Sequence, residues 1–367
     1  MAQRTVPAPV RRYSRHLLIP EVGLSGQERL GRARVLCVGA GGLGSPVLSY
    51  LAAAGVGRIG VMDDDVVDET NLQRQTLFTM KDIGRSKADA AAARLQSANP
   101  SIFIDAIQRR FEARNARELV RLYDVVVDCT DTFASRYAIN DACVLEKKPN
   151  VYGSIFRFDG QVSVFSAAGP CYRCLFPHPP PPGSVPSCAE GGVLGALAGI
   201  VGTLQASEVL KLLLQIGDPL RGRLLLVDAL GARLREFALE RDPACVVCSD
   251  GATLREVHDL VLPSGSGFAQ VEPEQLAELR NVILLDVREP HEAALGEVLG
   301  SLHIPASELA ARLHELDTAN TYVVACRIGV KSRWAMHRLA DAGFRNLYHL
   351  RGGLLAYAAL HKDFDFF

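Results

Sequence analysis

A chain of 367 residues has room for two domains, or three, at roughly 100 to 200 residues each. Its 40 basic residues nearly balance 41 acidic ones, so no general field draws it to nucleic acid or to an anionic membrane, and any anion site has to be local. Residues 1–12 carry no apolar signal core and no run of about 18 uncharged apolar residues occurs, so neither secretion nor membrane spanning is expected and a cytoplasmic location is. Nine cysteines, an odd number, point in a reducing compartment to metal binding or thiol chemistry before disulfides.

Residues 34–62 read as strand, glycine turn, helix, strand. Val35-Leu36-Cys37-Val38 is a continuous apolar run, residues 45–54 are helical in pattern, and residues 58–62 are extended again. A helix over 87–97 ended by Asn99-Pro100, a strand over 102–107, a helix over 115–122 and an apolar strand ending at Asp128 continue the alternation. That pattern predicts a mostly parallel sheet covered on both faces. Past Pro149 come strand-like segments such as 161–166, and a loop with Pro177, Pro179, Pro180, Pro181, Pro182 and Pro186 that cannot be sheet interior. Residues 193–215 form a long apolar helix, interrupted by Glu208 and Lys211, whose glycines argue for close packing over membrane insertion. Residues 249–267, ending in Pro263-Ser264-Gly265-Ser266-Gly267, have linker composition. A second, smaller α/β domain is expected over 268–367, with strand 282–286, helix 307–316, strand 322–325 and helix 333–342. The expected division is therefore 1–248, linker 249–267 and 268–367.

Gly39-Ala40-Gly41-Gly42-Leu43-Gly44 matches the G-x-G-x-x-G turn, where missing side chains let backbone N–H groups approach phosphate at a helix N-terminus. Asp63, ending the next strand, is placed to accept from ribose hydroxyls, and Asp65 is a further candidate for the nucleotide site. These features alone fit a nicotinamide oxidoreductase as well as an ATP enzyme. Asn71-Leu72-Gln73-Arg74-Gln75, Lys87 opening a helix and Asp131 at a strand tip favour adenylyl transfer. There, cations offset charge on the α-phosphate and departing pyrophosphate, and a carboxylate holds Mg²⁺ on the phosphate oxygens. A carboxylate nucleophile, already ionised near neutral pH, needs no general base.

Cys171-x-x-Cys174 and Cys245-x-x-Cys248 form two knuckles suited to tetrahedral Zn²⁺, but residues 175–244 separate them, so the fold has to bring them together. A thioredoxin-like pair is disfavoured, because neither motif opens a helix after a strand. Cys37, Cys129 and Cys143 read as core thiols, whereas Cys188 follows the proline-rich loop. Cys326-Arg327-Ile328-Gly329-Val330-Lys331 is a loop between a strand and a helix. Its backbone N–H groups, Arg327 and Lys331 can stabilise a thiolate or a persulfide sulfur. A phosphatase loop of this length normally ends in Arg to grip phosphate with two bonds, and Lys331 argues against one.

Six motifs in order resemble the molybdopterin-synthase adenylyltransferase and thiamine sulfur-carrier adenylyltransferase family, the bacterial branch of the ubiquitin-activating-enzyme superfamily. They are Arg12-Tyr13-Ser14-Arg15-His16, the glycine loop, Asn71 to Gln75, Asp128-Cys129-Thr130-Asp131, Cys171-Tyr172-Arg173-Cys174 and Ser187-Cys188-Ala189-Glu190, and the likeness runs over residues 12–248. With Asp286-Val287-Arg288-Glu289-Pro290 upstream of the Cys326 loop, residues 268–360 are similar to a single-domain rhodanese, although Lys331 stands where Arg is more usual. The resemblance implies an α/β chain, a Rossmann-like adenylation domain with a mostly parallel sheet followed by a small α/β rhodanese domain. It implies an ATP and Mg²⁺ site from Gly39, Gly41, Gly42, Gly44, Asp63, Asp65, Asn71, Gln73, Arg74, Lys87 and Asp131, with Arg15 reaching across a homodimer interface. Thr132 stands where the family shows Asn, and a hydroxyl can still bond nucleotide. Structural Zn²⁺ on Cys171, Cys174, Cys245 and Cys248 follows, as does an acceptor role for Cys188 and a persulfide on Cys326. The implied partners are a small ubiquitin-like sulfur carrier ending in Gly-Gly and a sulfur donor such as a cysteine desulfurase, with no nucleic acid and no membrane. A non-catalytic carrier-binding scaffold is the remaining alternative.

Overall fold

The four apolar residues that open the first βαβ unit are all buried, as expected of a strand covered on both faces. A computed structural model describes residues 11–180, 191–260, 268–276, 279–296, 298 and 300–360. They divide into two compact units, one built from residues up to 179 and from 192–260, the other from the described residues beyond 267.

In the first unit, β1 (Arg34–Val38) pairs in parallel with β2 (Arg58–Met62) and β4 (Val125–Asp128). β3 (Phe103–Ile107) and β5 (Asn150–Phe156) extend the parallel part. Three antiparallel strands, β6 (Asp159–Phe165), β7 (Arg223–Asp228) and β8 (Arg233–Ala238), complete an eight-stranded sheet of order β3-β2-β1-β4-β5-β6-β7-β8. The strand order reverses beside β1, between β2 and β4, and such switch points open a crevice at the carboxyl ends of strands. The glycine loop lies there. Helices begin where the sequence supplies caps: Ser86 accepts from the backbone of Asp89 to start Lys87–Ala98, and Thr132 accepts from Ser135 to start Phe133–Leu145.

The helix Gly195–Leu214 is long and apolar enough to cross a membrane by length and composition, and half of it is buried inside the fold. It packs on β5, β6 and the helix Gly44–Ala54. Its polar residues are satisfied there: Gln205 donates to Asp128 O (2.8 Å) and Val151 O (3.2 Å), and Glu208 accepts the backbone N–H of Leu220 at 2.8 Å. The expected close packing is visible at Gly202, where a Cβ would stand 2.5 Å from both Leu43 O and Pro46 Cγ. Gly202→Val is therefore expected to destabilise this unit by about 2–3 kcal/mol in urea titration, because backbone on the facing helix cannot give way cheaply.

Residues 249–260, read from sequence as the start of a linker, pack instead on the first unit. Val257 is buried in the cluster around Val120 and Ile139, and Asp259 accepts the backbone N–H of Ala113 at 2.8 Å. The polar composition concealed three apolar anchors, Val257 and the partly buried Leu254 and Leu260, and the remainder of that segment, 261–267, lies outside the described residues.

The second unit is an all-parallel sheet of order β11-β10-β12-β13-β9, comprising β9 (Ala269–Val271), β10 (Val282–Asp286), β11 (Leu302–His303), β12 (Thr321–Ala325) and β13 (Leu347–Leu350). The helix expected over 307–316 is only Leu309–Arg312 followed by a 3₁₀ turn, Leu313–Glu315. Leu316 is extended, and the Asp317 backbone binds the Tyr322 hydroxyl through both its N–H and its carbonyl, a tertiary contact that overrides helical periodicity.

Candidate functional sites

The loop after β1 turns so tightly that side chains are excluded at its hinges. Gly39 has φ +95°, and a Cβ there would meet Cys129 O at 2.7 Å, while one on Gly44 would collide with Gly39 O. Asp63, just past β2, ties the strand end to this loop: its Oδ2 accepts from Ala40 N (2.8 Å) and its Oδ1 from Asp65 N (2.9 Å). Burial raises the pKa of the Asp63 carboxyl, against the pull of those two bonds and of Lys87. Lys87 is buried at the first turn of its helix and donates from Nζ to Asp65 Oδ2 at 2.9 Å. Arg74 lies along Gly42, where a Cβ would come within 3.6 Å of Arg74 Cγ, and its guanidinium donates to Thr70 O. Asn71 O accepts the backbone N–H groups of Arg74 and Gln75, and Gln73 abuts Gly195 at the start of the long helix.

Cys129 N donates to Val38 O, so the segment carrying Asp131 leaves the sheet beside the glycine loop, with Asp131 exposed. Thr132 is occupied as a helix cap: its Oγ1 accepts from Ser135 N at 3.2 Å and lies 2.8 Å from Ser135 Oγ. Arg15 is exposed on a short helix, Ser14–Leu17, anchored by the buried Tyr13, whose hydroxyl accepts from Asn99 Nδ2 at 2.8 Å. The structure thus gathers the glycines, Asp63, Asp65, Arg74 and Lys87 at one sheet end. Arg136, which sequence reasoning passed over, is buried beneath it, donates to Thr130 O, and stacks near Phe133 and Tyr152. An arginine inside a helical pattern reads as a surface cation, and only its neighbours reveal otherwise. Cys188 lies outside the described residues.

The two knuckles meet despite their separation. Cys171 follows β6 and Cys245 follows β8, and the four sulfurs lie within 4.8 Å of one another. Sγ–Sγ distances of 3.6 Å (Cys171–Cys245), 3.9 Å (Cys171–Cys174) and 3.3 Å (Cys174–Cys248) straddle the edge of about 3.8 Å that a tetrahedron with metal–sulfur bonds of about 2.3 Å requires. Burial pushes the Cys171 thiol up, with its sulfur neighbours acting in the same sense, and burial together with hydrogen bonds of its thiol to Cys174 and Cys245 pushes Cys248 up to about 12. A divalent cation reverses that penalty, so the set can hold a metal.

In the second unit Cys326 is buried at the end of β12, facing the N-terminus of the helix Val330–Asp341. Gly329 (φ +94°) donates its N–H to Cys326 Sγ at 3.2 Å, and Ser332 Oγ lies 3.6 Å from the same sulfur. The Asp286-Val287-Arg288 motif is a buried ion pair at 2.7 Å, and Arg288 also donates to Gly296 O at 2.8 Å. Lys331, expected to face the sulfur, pairs with Glu292 at 2.5 Å.

A glycine-loop nucleotide site with buried cationic support and a thiol at a helix N-terminus define an α/β enzyme of two chemistries, one on a nucleotide and one on sulfur. The model of the ThiF family matches residues 13–247 and that of the Rhodanese-like domain residues 272–360, and the chain belongs to the ThiF family with a C-terminal rhodanese-like domain. It is 44% identical over 363 residues, 95% of its length and 93% of the relative's, to the probable adenylyltransferase/sulfurtransferase MoeZ of Mycobacterium tuberculosis. Over 254 residues, 68% of this chain and 94% of the relative, it is 55% identical to the sulfur carrier protein adenylyltransferase of Thermus thermophilus. Solved structures of E. coli MccB share the fold, with a TM-score of 0.58 at 22% identity over 67% of this chain and 76% of that one. The chain is an adenylyltransferase and sulfurtransferase, so the nicotinamide oxidoreductase and the non-catalytic scaffold left open by the sequence are set aside.

Proposed function

We propose that the first unit activates the C-terminal glycine of a small ubiquitin-like sulfur carrier ending in Gly-Gly as an acyl-adenylate, and that the rhodanese-like unit delivers the sulfur. The observation that carries this reading is the chain of contacts from the Ala40 backbone through Asp63 and Asp65 to the buried Lys87, which fixes a cation beside the glycine loop. The glycines 39, 41, 42 and 44 and the carboxylate of Asp63 receive phosphates and ribose, and Asp65, Asn71, Gln73, Arg74, Lys87 and the partner subunit's Arg15 complete the ATP site of a homodimer. Asp131 is the Mg²⁺ ligand, and the ion would neutralise phosphate charge there. The carrier carboxylate attacks the α-phosphorus and pyrophosphate leaves. The terminal sulfur of a persulfide on Cys326, loaded by a donor such as a cysteine desulfurase, then attacks the acyl carbon and AMP leaves. A thiol, for which we nominate Cys188, attacks the Cys326 sulfur of the resulting acyl disulfide and releases the carrier as a thiocarboxylate. The Cys171, Cys174, Cys245 and Cys248 set holds structural Zn²⁺. The cytoplasm, which keeps such thiols reduced, is the matching compartment. Residues 261–267 serve as a tether that raises the effective concentration of one unit at the other.

ATP–pyrophosphate exchange is expected only when a Gly-Gly carrier is present, and exchange without carrier, or unchanged in Asp131→Ala, defeats the adenylation half. Cys326→Ser is expected to abolish thiosulfate:cyanide sulfurtransfer. Retained transfer defeats the sulfur half.

A further inference from the structure

One buried imidazole in the rhodanese-like unit has no part in the scheme above. His349 lies on β13, in register with Val324 of β12, the strand that runs into Cys326. Its Nε2 is 2.8 Å from Gly329 O and 3.0 Å from Ser332 Oγ. A carbonyl oxygen only accepts, so Nε2 carries the ring proton, and Nδ1, buried and without a hydrogen-bond partner among the described residues, is the bare nitrogen. Burial lowers the pKa of this ring, Arg333 acts in the same sense and the bond to Gly329 opposes them, so it stays neutral near neutral pH.

The two residues that Nε2 reaches are the two that face the sulfur: the ring holds the Gly329 carbonyl, on the other side of the Gly329 Cα from its N–H, and the Ser332 hydroxyl oxygen. Gly329 donates its N–H to Cys326 Sγ, and Ser332 Oγ is the hydroxyl beside it. Because Nε2–H is already a donor, the Ser332 hydrogen is not drawn to the ring and can turn toward sulfur. Arg333 Nε adds a second, longer bond to Gly329 O at 3.2 Å. The imidazole also lies against the Gly329 Cα: a Cβ there would come within 3.1 Å of His349 Cε1, so ring and left-handed backbone both require glycine.

We infer that His349 is a positioning residue for sulfur transfer, its Nε2–H fixing the left-handed turn at Gly329 through that residue's carbonyl, and the Ser332 hydroxyl, so that the Gly329 N–H and the Ser332 O–H both donate to the sulfur on Cys326. This rests on the reading of Cys326 as the sulfur-carrying thiol. No proton passes through the ring; it holds two donors where negative charge sits on a thiolate or on a persulfide's terminal sulfur.

The full chain, assayed with thiosulfate as donor and cyanide as acceptor, tests it. His349→Leu, which keeps bulk without a donor, is expected to lower kcat about tenfold or more at unchanged KM for thiosulfate. Alkylation of Cys326 by iodoacetamide, followed on its own peptide by mass spectrometry, should slow with it. His349→Gln, which restores an N–H donor, should recover most of both. Wild-type rates in His349→Leu overturn the inference, and so does equal impairment of the Leu and Gln variants, which would reduce the ring to packing. Should His349→Leu not fold, Ser332→Ala takes its place: a lower kcat at unchanged KM supports the arrangement and wild-type kcat overturns it. Activity surviving in Cys326→Ser would instead defeat the reading of Cys326, leaving the two failures distinguishable.

Discussion

Lys87→Met is expected to lower carrier-dependent ATP–pyrophosphate exchange by about 10²- to 10³-fold, the scale on which a fixed cation facing developing phosphate charge contributes. The side chain is 7% exposed and reaches Asp65, whose own side chain is 71% exposed. Removing the ammonium leaves Asp65 in solvent, and the more deeply placed Asp63 keeps its bonds from the backbone N–H groups of Ala40 and Asp65, so the stability change should stay at about 1 kcal/mol. Met keeps the length of the stem, so packing in the first turn of Lys87–Ala98 is largely preserved. Stability measured by urea titration alongside exchange separates the two effects. A variant that exchanges at the normal rate would remove Lys87 from the site, and one that loses activity only because it unfolds would leave its role unsupported.

Stripping metal from the four-cysteine set is expected to weaken the first unit by several kcal/mol, with one zinc per chain found by elemental analysis beforehand. Cys171, Cys245 and Cys248 are buried and Cys174 only partly exposed, so a metal-free set is a cluster of desolvated thiols held only by weak S–H···S contacts. Arg241 donates to Cys248 O and to Asp250, an outer contact that fixes the second knuckle. Chelation in mild denaturant, or Cys174→Ser, should lower the unfolding midpoint while the rhodanese-like unit keeps its thiosulfate activity. Acidification should release the metal, since thiolates bind it and thiols do not.

Both sites were legible in the sequence to the extent that their residues are neighbours in the chain. The glycine loop, Asp63 and the Cys326 loop could be read because strand, turn and helix follow one another and each junction has a side-chain requirement of its own. Lys87 was legible as a helix-opening cation, but its burial and its bond to Asp65 were not, because they depend on the connection between β2 and the helix folding back. Arg136 and His349 gave no signal. Each looks like an ordinary residue of its element, and each acquires a role from a backbone carbonyl outside that element: Thr130 O, just ahead of its helix, for Arg136, and Gly329 O, 20 residues earlier, for His349. Lys331 shows the converse. Its position in the loop suggested a cation at the sulfur, but Glu292, 39 residues earlier, takes it. Residues 249–260 have linker composition because Leu254, Val257 and Leu260, spaced three apart among polar neighbours, give no continuous apolar run, yet each packs on the first unit.

The knuckles have a topological consequence as well. Cys171 and Cys245 are 74 positions apart, and between them run the helix Gly195–Leu214 and strands β7 and β8. Once loaded, the cluster closes that stretch of chain into a ring, and closing a loop of this length in the unfolded polymer removes entropy worth roughly 4 kcal/mol. A single backbone cut between Cys174 and Cys245 would then open the ring without parting it, leaving both fragments on the same four sulfurs.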